Sequence, residues 1–70
     1  MDIPTRNLSM YVKEIGVNLS ELSRKTDIPY VSLYDSLVNE KRKRNLRAGE
    51  FLKICEQLKV DPKDFDDKGA

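Results

Sequence analysis

Apolar side chains recur at helical spacing along most of this chain. Leu8, Tyr11, Val12 and Ile15 fall at i, i+3, i+4 and i+7, which predicts an amphipathic first helix over about residues 5–15. Residues 1–4 read as a loose lead-in, and Gly16 suits the left-handed position that ends a helix. Asn18 and Glu21 stand at capping-box spacing, so a second helix starts there with Leu19 and Leu22 inward. It ends near Thr26, because Pro29 disfavours helical backbone at Ile28. A third helix begins at Pro29 or Tyr30, carries Leu33 and Leu37 one turn apart, and can close at Asn39. Residues 41–45 form a charged loop. A fourth helix covers about residues 47–59, with Ala48, Phe51, Leu52, Cys55 and Leu58 on its inner side and Ile54 beside them. Asp61-Pro62-Lys63-Asp64 has the form of a further helix start, with Phe65 folding back on the core and the last residues frayed. The pattern contains no strand-like alternation. It predicts an all-α, compact bundle of about five short helices, one domain over residues 1–70 with its core at about 5–66.

Composition narrows the possible functions. Seventy residues, 39% of them hydrophobic and 36% charged, suit one small soluble domain. Little chain is left for an enclosed active site or an effector domain, so no small-molecule effector is expected. Cys55 is the only cysteine and there is no histidine. An intrachain disulfide and a cysteine-based zinc site are therefore impossible, and the commonest general base is missing. No Ser/His/Asp set, phosphate-cradling glycine loop or convergent acid pair stands out. The expectation is a non-enzyme with no catalytic residues, metal or cofactor, and with Cys55 as a buried apolar side chain. No apolar stretch is long enough to span a membrane and the N-terminus lacks signal-peptide character, so the expected compartment is the cytoplasm.

Net charge is only +1, but the charges are unevenly placed. Residues 41–47 hold five basic groups and no acid, whereas 61–67 hold four acids and one lysine. A basic run of this kind attracts phosphate, and it directly follows two short helices joined by a tight turn over residues 18–37. A helix presented from such a turn can enter a DNA major groove.

Three runs then carry a family resemblance: Leu19-Ser-Glu-Leu-Ser-Arg-Lys-Thr, Ile28-Pro-Tyr-Val-Ser-Leu, and Arg47-Ala-Gly-Glu-Phe-Leu-Lys-Ile-Cys-Glu-Gln-Leu-Lys-Val-Asp-Pro. In this order and spacing they resemble the Cro and lambda-repressor-like helix-turn-helix family over about residues 8–65. The form is similar to small phage- or prophage-type regulators of Gram-positive bacteria. The resemblance implies a DNA-binding transcriptional regulator, repressor or Cro-like, whose third helix reads the major groove, often as a two-fold dimer on palindromic sites. Carried over by alignment, the base-reading candidates are Tyr30, Val31, Tyr34 and Asp35. Tyrosine can hydrogen-bond a base edge or phosphate, Val31 can meet a thymine methyl, and Asp35 can accept from cytosine N4. Phosphate candidates are Asn18, Ser32, Lys41, Arg42, Lys43, Arg44 and Arg47, with Arg24 and Lys25 weaker.

The chain departs from the family pattern in three places. Ser23 replaces a frequent alanine, Asp27 a frequent turn glycine, and the reading positions lack the usual Gln, Asn, Arg or Ser. Tyr30, Val31 and Tyr34 would also suit a protein interface, where tyrosine is enriched. The alternative reading is thus a protein-interaction module, such as an antirepressor, an antitoxin-like partner or a phage accessory factor. Such a module would keep the fold without specific DNA binding.

Overall fold

The computed structural model describes residues 2–39, 41–42 and 44–65. Four α-helices, α1 (Ile3–Ile15), α2 (Leu19–Thr26), α3 (Tyr30–Leu37) and α4 (Ala48–Leu58), are followed by a single 3-10 turn, Pro62–Asp64. The described residues contain no strand. The fifth helix expected from the sequence is only this turn. The Asp61 side chain accepts from the amide of Lys63, and the amide of Phe65 bonds back to the carbonyl of Pro62. Bonds that short close the turn after three residues.

Each boundary has a local cause. α1 starts two residues before the position the apolar spacing indicates, because Asp2 caps it by accepting from the amide of Thr5 at 2.9 Å. Pro4 sits in the first turn, where its missing N–H costs nothing. The supposed lead-in is therefore helical from Ile3 onward. Gly16 ends α1 at φ 70°. Asn18 caps α2 by accepting from the amide of Glu21 at 3.1 Å. Asp27 ends α2 in the left-handed region at φ 63°. α3 closes at Val38 rather than Asn39, although the amide of Asn39 also bonds back to the carbonyl of Tyr34 at 2.7 Å.

The core is formed by Leu8, Val12, Leu22, Ile28, Leu33, Leu37, Leu46, Ile54, Cys55 and Phe65. α1 packs on α3, α2 packs on both α3 and α4, and the final turn packs on α4. Phe65 seals the base edge-on to Tyr11 and Phe51, with ring centroids 5.4 and 6.5 Å away. Two residues expected on the inner side of α4 are misplaced. Leu52 is 54% exposed, and Ala48 also faces outward. Ile54 and Cys55 form the buried centre of α4, and a residue two positions before Ile54 is turned about 200° away from it.

Short side chains tie these elements together. Ser9 Oγ donates to the carbonyl of Leu37 at 2.6 Å, joining α1 to the end of α3. Thr5 Oγ1 accepts from the amide of Leu46 at 3.0 Å, which holds the loop before α4 against α1. Among the described residues, no buried side-chain nitrogen or oxygen lacks a hydrogen-bond partner.

Candidate nucleic-acid interface

α2, its turn and α3 are tied together as one unit. Ser23 Oγ donates to the carbonyl of Ile28 at 2.6 Å, across the turn that Asp27 opens. The serine that replaces the frequent alanine thus stitches the turn as well as fitting between the helices. Ile28 is buried behind it, fixing the angle at which α3 leaves.

α3 has two dissimilar faces. Leu33, Ser36 and Leu37 are buried. Tyr30, Val31 and Tyr34 point outward, at 46, 67 and 41% exposure. The two tyrosine rings stack with centroids 6.3 Å apart and planes 16° from parallel. Neighbours at i and i+4 on a helix meet in this way. The stacked pair and Val31 form an exposed aromatic and apolar strip on the helix surface. Ser32 is half-buried at its edge. At the start of α2, Asn18 is exposed while its oxygen serves the helix cap.

The basic run separates into distinct roles. Lys41, Arg42 and Arg47 are exposed. Lys43 lies outside the described residues. Arg44 turns inward: Nη1 donates to Ser36 Oγ at 2.7 Å and Nη2 to Glu50 Oε2 at 3.1 Å. It bolts the buried face of α3 to the first turn of α4. Glu50 completes the bolt by accepting from the amide of Arg47 at 2.9 Å. Asp35 also faces the loop. Its Oδ1 accepts from Asn39 Nδ2 at 3.3 Å, and its Oδ2 lies 3.5 Å from Arg42 Nε. The sequence reading missed Ser36 and Glu50. A polar Ser36 between Leu33 and Leu37 on the buried face was the available signal, because such a residue needs a partner.

The electrostatics of the bolt make a testable demand. Burial pushes the Glu50 carboxyl upward, but the Arg44 bond, the Arg47 amide and the charges of both arginines outweigh it and hold it below the usual 4.5. A carboxylate with a lowered folded-state value stabilises above its unfolded value, and that support disappears as pH falls through the folded value. Glu50→Gln should therefore cost about 1–3 kcal/mol near neutrality. The gap to the unsubstituted protein should close as the solution is acidified below the ordinary carboxylate range. Urea unfolding at several pH values measures this, and a pH-independent gap would contradict it. Cys55 behaves oppositely. Burial, helped by the nearby Asp61 charge, pushes its thiol up to about 11, so it stays a protonated packing group.

With this geometry in view, comparison with known proteins decides the family. The family model of the Cro/C1-type HTH DNA-binding domain matches residues 7–65. The chain belongs to that family. No curated protein and no solved structure matched it. As a Cro/C1-type domain it has double-stranded DNA as its ligand class, which supports a role as a DNA-binding regulator. In this Cro/C1-type chain the match takes in α2, α3 and the loop before α4, so the exposed strip and the basic side chains lie inside the matched region. No helix among the described residues is long and apolar enough to cross a membrane.

Proposed function

We propose that this protein is a sequence-specific transcriptional regulator, repressor or Cro-like, that lays α3 in the DNA major groove. The observation that carries this reading is the outward strip Tyr30, Val31 and Tyr34 on the second helix of a helix-turn-helix unit. An α-helix with its side chains is about 10–12 Å across, which suits a major groove about 12 Å wide. Val31 meets a thymine methyl, and the tyrosine hydroxyls donate to a base edge or a phosphate. Lys41, Arg42 and Arg47 grip phosphates and set the register. Asn18 Nδ2 and Ser32 add neutral phosphate contacts. Two copies bind a palindrome with half-sites about 34 Å apart, in the cytoplasm of a bacterial or phage-infected cell.

Selection from randomised duplexes tests this reading. The expected result is an enriched palindrome whose half-site spacing reports the dimer. Tyr34→Ala should keep the fold but alter the enriched bases at one or two positions, with a loss of about 1–3 kcal/mol on the original site. Enrichment unchanged by the substitution would remove Tyr34 from the reading surface. Failure to retain any duplex would favour the protein-interaction alternative, which the stacked tyrosine strip also suits. A protein complex on that strip would persist at salt concentrations that release DNA.

A further inference from the structure

Asp35 occupies a position that is hard to reconcile with base reading. It follows Tyr34 directly and lies one turn beyond Val31, so its charge sits close to the surface assigned above to DNA. A bare carboxylate there would repel phosphate. Its side chain, however, is only 14% exposed and is engaged by the loop. Oδ1 accepts from Asn39, Oδ2 faces Arg42 Nε, and its backbone carbonyl accepts from the amide of Arg44 at 3.4 Å. Asn39 in turn accepts the amide of Lys41 on its Oδ1 at 3.1 Å and the amide of Arg42 on its carbonyl at 3.3 Å. The loop that carries the exposed cations is wrapped around this one carboxylate.

We infer that Asp35 is a positioning residue, which seats the Arg42 guanidinium on the end of α3 and so fixes where a phosphate is held relative to the reading helix. This rests on the DNA-binding reading above. The chemistry suits it. The Asp35 pair uses the Nε edge of Arg42, and a guanidinium has five donors in a fixed fork, so its Nη groups can still meet a phosphate. The Arg42 side chain is 69% exposed and open to such a contact. Without the carboxylate, a long arginine on a loop has many rotamers to lose on binding. Pairing also cancels the negative charge beside the tyrosine strip.

The test compares Asp35→Asn, Arg42→Ala and the double variant with the unsubstituted protein. The probe is the duplex that the unsubstituted protein enriches, followed by fluorescence anisotropy across a salt series. Removing a negative charge near DNA would by itself tighten binding. The positioning role predicts instead a loss of about 2- to 5-fold for Asp35→Asn, comparable in size to the contribution of a surface ion pair. It predicts no further loss in the Arg42→Ala background, and an unchanged base preference when selection is repeated. Asp35→Glu, which keeps a carboxylate within reach of Arg42, should recover part of the affinity, and a circular-dichroism melt confirms that each variant is folded. A changed base preference, tighter binding by Asp35→Asn, or an equal loss with and without Arg42 would each overturn the assignment. No binding of any duplex by the unsubstituted protein would overturn the DNA reading itself, and this assignment with it.

Discussion

Truncating Leu33 to alanine is expected to leave most of the chain unfolded at physiological temperature. Leu33 is fully buried on the inner face of α3, the helix on which both α1 and α2 pack. Removing a leucine of this kind costs about 2–5 kcal/mol, through lost transfer energy and the cavity left behind. A chain of this length has a core that supplies no more than about 3–5 kcal/mol of net stability. The substitution therefore takes away most of what there is. Urea and thermal melts followed by far-ultraviolet circular dichroism measure it directly. A cooperative melt close to that of the unsubstituted protein would show that α3 is not the keystone of the packing.

The second large effect is electrostatic. Replacing Lys41, Arg42 and Arg47 together with alanine should weaken binding to every duplex alike, by on the order of a hundredfold at moderate salt. The slope of log affinity against log salt should fall by about three per bound chain, roughly one for each phosphate that is no longer neutralised. Base preference should be retained, because these groups position the protein and do not read sequence. Arg44 is left in place because its guanidinium is engaged by Ser36 and Glu50, so changing it would test the fold rather than the grip on DNA. Anisotropy titrations across a salt series provide the measurement, and an unaltered slope would remove all three residues from the phosphate surface.

The helices were legible in the sequence because their signals are local. Leucine spacing, Gly16, the Asn18 cap and the proline after Ile28 each act within one or two turns, and each recurs in the structure at the expected place. What was hidden depends on partners far along the chain. Leu46 looks like a loop residue, yet it is buried because Thr5, forty-one positions away, holds its amide. Leu52 fits an apolar stripe on α4 by composition, but the side of α4 that α2 covers is centred on Ile54 and Cys55. The basic run shows the same limit at the candidate site. Residues 41–47 read as a uniform patch, and only packing distinguishes the inward Arg44 from the exposed Lys41, Arg42 and Arg47. Asp35 was legible as a residue of the third helix, while its engagement by Asn39 and Arg42 required the path of the loop.

Two helix ends are closed by residues other than glycine in left-handed backbone, Asp27 at φ 63° and Lys59 at φ 60°. Side chains with a Cβ adopt that conformation at a cost that glycine avoids. In a domain with so little stability to spare, these two ends help to set the fraction of molecules that are open at any instant. In a cell, opened chains are the ones that proteases remove, and small changes in stability change abundance several-fold. The amount of this protein present to occupy a binding site should therefore depend partly on the backbone of two turns. Its persistence after synthesis stops, separately from its affinity, would then depend on these two turns.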